Sequence, residues 1–92
     1  MHNRCIQDAL AYDTLAWAQL HAGDAPGARR SIDHALASGV RDAYVWYHAA
    51  AIHAAAGDRV RALELARRAL ELNPKFDLYE SAQARALVGD LS

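Results

Sequence analysis

The residue types in this chain best suited to chemistry are five histidines, His2, His21, His34, His48 and His53, and one cysteine, Cys5. Together they raise two possibilities, a metal centre or a nucleophile with its base. A closed zinc site needs four ligands at matched spacing. His48 and His53 are five residues apart, about 500° of helical rotation, so they face different directions. His2 and Cys5 stand three apart at a chain end, and His21 and His34 have no matched partner. Cys5 has no positioned base, and no serine sits in a recognised nucleophile elbow. Gly23, Gly27 and Gly39 do not fit the spacing of a phosphate-binding loop. The expectation is a chain that is not an enzyme and holds no metal and no cofactor, with histidines that are solvated or hydrogen-bonded.

Charge narrows the partners. Lys+Arg is 10 and Asp+Glu is 11, a formal net charge of -1. A nucleic-acid binder of this size is normally clearly basic, and an anionic membrane surface asks for the same excess. The arginine pairs Arg29-Arg30 and Arg67-Arg68 read instead as a solvated outer face. Glu64 is in reach of Arg67 or Arg68 and Arg67 of Glu71, pairs worth about 0.2–0.5 kcal/mol each. A lone cysteine forms no internal disulfide, which fits a reducing compartment. The N-terminal residues carry no signal-peptide apolar core. The longest low-polarity run, Ala49 to Ala56, is interrupted by His53 and is too short to span a bilayer. These features predict a soluble, cytoplasmic protein that engages no nucleic acid and no membrane.

The elements that must position any site are helices. Alanine makes up about a quarter of the 92 residues; it is the best helix former and lets backbones approach closely. Ala22-Gly23-Asp24 recurs as Ala56-Gly57-Asp58, a shift of 34. At that shift Asp8 meets Asp42, Ala9 meets Ala43, Tyr12 meets Trp46, Ala16 meets Ala50, Ala28 meets Ala62, Ala35 meets Ala69 and Leu36 meets Leu70. The first unit predicts a helix from Asp8 or Ala9 to His21, with Tyr12, Leu15, Ala16 and Gln19 on one side. Gly23 then breaks it, Asp24 caps the next helix, and Pro26 suits that helix's first turn. The second helix runs to about Ser38, with Ala28, Ile32, Ala35 and Leu36 at i, i+4, i+7 and i+8. The second unit repeats the scheme: Asp42 to about Ala56, the Gly57-Asp58 turn, then Arg59 to Leu72, stopped by Asn73-Pro74. A closing helix is expected at about 77–88, with Leu78 and Tyr79 at its start and Gly89 to Ser92 frayed.

A 34-residue period of two helices, small residues at set places and a proline after the second helix resemble the tetratricopeptide repeat. The second unit carries the better match: Trp46, Gly57-Asp58, Ala62, Ala69 and the ending Leu70-Glu71-Leu72-Asn73-Pro74. The first fits at Tyr12, Leu15, Gly23-Asp24, Ala28 and Ala35, with Val40 where proline is usual. His53 departs from the family's tyrosine and Ala50 from its glycine. The resemblance implies an all-α superhelix of antiparallel hairpins, about five helices in a single domain spanning 1–92: repeat 1 at about 8–41, repeat 2 at about 42–75, and the closing helix.

It further implies protein or peptide binding in a groove lined by the first helix of each pair, without catalysis. The groove side would carry Leu10, Asp13, Thr14, Trp17 and His21, then Tyr44, Tyr47, His48 and Ala51, then Leu78, Ser81 and Arg85. Of these, Asp13, Trp17, His21, Tyr44, Tyr47, His48 and Arg85 are the candidate partner-binding residues. Tryptophan and tyrosine bury much area with few rotors to freeze, which favours them at binding hot spots; the same aromatics could equally cover the helix interface. Some members of the family grip a terminal carboxylate with lysine, arginine and asparagine. The matching places here hold Asp13, Trp17 and His48, so the expected ligand is apolar or helical, met by a mostly neutral groove. Two alternatives remain: a self-associating homo-oligomeric assembly module, or the terminal part of a larger regulator.

Overall fold

A computed structural model of the protein describes residues 2–73 and 78–91; for residues 2–7, 78 and 79 only the backbone is described. It holds five helices, α1 (His2–His21), α2 (Ala25–Ala37), α3 (Ala43–Ala55), α4 (Arg59–Leu72) and α5 (Leu78–Leu91), and no strand among the described residues. The protein is all-α.

The helix starts follow the aspartates. The Asp24 carboxylate accepts the Gly27 amide at 2.9 Å, Asp42 accepts the Tyr44 amide at 2.8 Å, and Asp58 accepts the Arg61 amide at 3.1 Å. Each satisfies an amide that has no partner within its helix. Gly23 and Gly57, one period apart, close α1 and α3 at φ 86° and 92°, a region that costs glycine nothing.

Two boundaries differ from the sequence expectation. Helix α1 begins at His2, not at Asp8 or Ala9. Residues 2–7 contain neither proline nor glycine, so nothing halts the helix short of the chain end. Helix α5 runs to Leu91, past the expected end near 88 and through the stretch expected to fray. Gly89 is absent from the left-handed glycines, and a glycine in helical conformation weakens a helix without ending it. Asn73 forms the C-cap of α4 in extended conformation; Pro74 and the side chains of Leu78 and Tyr79 lie outside the described residues.

Packing follows the same period. Ala16, Ala50 and Ala84 are successive 34-residue equivalents, and all three are fully buried. This carries the register of the two units into α5. Most of the core is alanine, with Ile32, Val45 and Ile52 its largest fully buried apolar side chains. Helix α3 touches each of the other four helices. Helix α1 also meets α3, and α3 meets α5, whereas α2 and α4 do not meet among the described residues. The array therefore bends with α1, α3 and α5 on the inside. Tyr12 and Leu15 share a side of α1 with buried Ala16 in the sequence pattern, yet they are 39% and 47% exposed.

Candidate functional site

The inner face is built around His48. Six residues past the Asp42 cap of α3, this side chain reaches across to both neighbouring first helices. Its Nδ1–H donates to Asp13 of α1, 2.8 Å to Oδ1 and 3.0 Å to Oδ2. Its Nε2–H donates to Glu80 Oε1 of α5 at 2.9 Å. A neutral imidazole has one donor nitrogen, so two carboxylates, one at each nitrogen, select the imidazolium. Burial alone would lower the pKa of His48; the hydrogen bonds and charges of Asp13 and Glu80 outweigh it and hold the group above its ordinary value. The three side chains join α1, α3 and α5 through one charged contact.

Aromatic rings pack over that contact. Trp17 stacks on His48 with centroids 4.1 Å apart and planes at 26°. Tyr47 lies tilted against Trp17 at 6.2 Å and against His48 at 5.7 Å. Its hydroxyl donates to Gln83 Oε1 of α5 at 2.8 Å. The His21 ring sits edge-on to Trp17 at 5.0 Å, and its Nδ1–H donates to the Trp17 carbonyl at 2.8 Å. Trp17 stays half-buried, while Leu10, Thr14 and His21 along the same line of α1 are exposed.

Of the seven candidate residues, Asp13, Trp17, His21, Tyr47 and His48 are brought into one cluster. Asp13 and Tyr47 are buried within it and act as its supports. Tyr44 is exposed at the start of α3, where it lines a shallow cleft with Arg41, Leu72 and Asn73. Arg85 is exposed on α5. The centre of the face is charged, where the sequence reading expects a mostly neutral surface. Glu80 and Gln83 were not among the expected site residues. The signal that finds them is the third step of the period: once Ala84 is aligned with Ala50, residues 80 and 83 fall on the side of α5 that meets α3.

The second buried histidine faces the other way. His53 is 3% exposed, and its Nε2–H donates to Asp33 Oδ1 of α2 at 3.1 Å. Its Nδ1 has no hydrogen-bond partner, with Asp58 Oδ2 4.0 Å away. On the outer face Glu64 pairs with Arg61 and Arg68. Of the expected pairs Glu64 with Arg68 forms, and no pairing of Arg67 with Glu64 or Glu71 is present among the described residues.

Among the described residues no helix is long and apolar enough to cross a membrane. No curated protein matches the chain, and no solved structure does. Residues 43–76, which take in α3 and α4, match the family model of the tetratricopeptide repeat. Repeats of this family generally serve as non-catalytic protein–protein interaction modules. With α1–α2 built on the same 34-residue register and α5 continuing it, the five-helix array is consistent with hairpin packing like that of tetratricopeptide repeats, and the family match itself lies on α3 and α4.

Proposed function

We propose that the protein is a non-catalytic, cytoplasmic interaction module. Its single domain of two repeats and a closing helix takes a peptide or helix of a partner protein into the inner face. The observation that carries this reading is Trp17: a half-exposed indole stacked at 4.1 Å on a histidine that two carboxylates hold in place. An aromatic surface fixed in this way loses little rotamer freedom when a ligand covers it. Leu10 and Thr14 extend the surface along α1, and His21 closes one end of it. An apolar side chain of the partner packs on the indole, and the exposed edges of Thr14 and His21 supply hydrogen bonds to its backbone. Tyr44 and Arg85 sit farther out, at the rim.

The test is Trp17→Ala. The wild-type chain immobilised at defined density retains a partner protein; the variant, with unchanged helical circular dichroism, loses it by about 2 kcal/mol or more, the usual size of an aromatic hot spot. Equal retention by both chains refutes the groove.

A further inference from the structure

His53 is a buried polar group that the inner face leaves unused. It stands in the last turn of α3, is 3% exposed, and its Nε2–H is committed to Asp33 at 3.1 Å. On a ring carrying that one proton Nδ1 is a bare lone pair, and no donor reaches it. Facing it at 4.0 Å is Oδ2 of Asp58, a second acceptor. The other oxygen of Asp58 is already taken, by the Arg61 amide at the start of α4. Two acceptors therefore look at each other with no donor between them. Asp33, His53 and Asp58 line one cleft of about 500 Å³ between α2, the end of α3 and the start of α4, with Leu36 and Ala37 as its apolar wall. The cleft lies at the C-terminal ends of α2 and α3, and helix C-termini carry partial negative charge. Two arginines also line it, but Arg61 is paired with Glu64 outside the cleft and Arg29 is exposed.

We propose that this cleft is a second binding site, separate from the inner face, and that it takes a primary alkylammonium, the side chain of a lysine from a partner protein. Each wall has a part. Asp33 takes the Nε2 proton and so fixes the tautomer in which Nδ1 accepts. Asp58 supplies the negative charge, and His53 Nδ1 supplies a directional lone pair beside it. A nitrogen about 2.9 Å from both acceptors sees them at an angle of about 90°. That is nearer the tetrahedral angle of an ammonium than the wider H–N–H angle of a guanidinium. Leu36 and Ala37 cover the methylene stem, as apolar surface does for lysine elsewhere. A water could offer the two hydrogens, but it brings no charge to meet Asp58 and the two helix ends.

The probe is Nα-acetyl-lysine N-methylamide, titrated at neutral pH and constant ionic strength into the full-length chain with ¹⁵N-labelled histidine rings. In the free chain His53 should show a protonated Nε2 and an unprotonated Nδ1. The probe should then move Nδ1 saturably and leave the ring of His48, held by a carboxylate at each nitrogen, where it is. The norleucine analogue keeps the stem and drops the ammonium, and it should move neither ring. Asp58→Asn keeps the α4 cap, since asparagine caps as well as aspartate. It removes the charge and turns a donor amide toward Nδ1, so it should weaken the probe by about tenfold or more. A His53 ring protonated at both nitrogens overturns the proposal, because Nδ1 then lacks an acceptor and not a donor. So does the absence of a saturable shift, which leaves water as the occupant, an equal response to the norleucine analogue, or unchanged affinity in Asp58→Asn. Putrescine binding about tenfold more tightly than the lysine probe assigns the cleft to a free polyamine and overturns the partner lysine.

Discussion

The two hairpins α1–α2 and α3–α4 share a register and a capping scheme, yet their first helices live in different surroundings. In α3 the residues at the third, seventh and tenth helical positions are Val45, Ala49 and Ile52, all without exposure. In α1 their equivalents one 34-residue period earlier are Ala11, Leu15 and Ala18, and all three meet solvent. The local code is the same; the neighbours are not. What the difference teaches is that burial in this array is set by the helices packed beside a residue and not by residue type alone. The hydrophobic strip of α1 keeps a core-like composition without a core to enter.

The comparison breaks first, and by most, at the tenth position. Ile52→Ala opens a cavity in the core and should cost about 2–5 kcal/mol in urea unfolding. The reciprocal change Ala18→Ile, at the solvent-facing counterpart, should stay within about 0.5 kcal/mol. Comparable costs at the two positions would erase the distinction between the hairpins.

A smaller effect separates the two on a charge that only α3 carries. His48 has its folded pKa above the ordinary 6.5. Its stabilising contribution is therefore complete below that value and is lost as pH rises through the folded pKa. Unfolding midpoints measured from just below pH 6.5 upward should fall in the wild type. His48→Gln should flatten that fall, and a slope that survives the substitution would assign the dependence to another group. The period aligns His48 with Thr14 in α1, whose hydroxyl donates to its own helix at Leu10 O, 2.9 Å, so Thr14→Ala should leave the pH profile as it is.

The smallest effect distinguishes the two caps. A Cβ at Gly27 would lie 2.1 Å from Asp24 Oδ2, whereas the equivalent Arg61 carries its side chain while Asp58 still caps its amide. Gly27→Ala should therefore displace the Asp24 carboxylate and cost the cap, about 1 kcal/mol, against a helix-propensity gain of similar size. The net change in thermal midpoint should be near zero, and Asp24→Ala should cost less in the Gly27→Ala background than alone. Full additivity in that double-mutant cycle would show that the carboxylate tolerates the methyl.

Much of the fold was legible because its punctuation is local. Asp24, Asp42 and Asp58 mark helix starts, Gly23 and Gly57 mark ends, and the Arg59–Leu72 helix forms as the pattern predicts. The chain ends were less legible. A helix that extends ahead of its expected start, as α1 does before Asp8, leaves no signature in residue types. Gly89 looks like a terminator until its backbone is known. The candidate cluster was legible in part for the same reason. Asp13, Trp17, Tyr47 and His48 follow from helix phase within each unit. Their bonds to Glu80 and Gln83 depend on the phase of α5, which is set by the burial of Ser81 and Ala84 and the partial burial of Leu87 and Val88. Partner choice was not legible at all: Asp13 and Tyr47 look like free binding groups in sequence and turn out to be bonded to neighbouring helices.

The position of α3 has a consequence for how the molecule comes apart. Among the described residues this 13-residue helix is the one element in contact with all the others. Long arrays of the same kind can melt piecemeal, each unit leaning only on the next. Here neither hairpin can be peeled away as an independent foldon, since loosening α3 withdraws support from both ends at once. Heat or denaturant should meet a single cooperative transition, and a protease should find the chain either whole or wholly open.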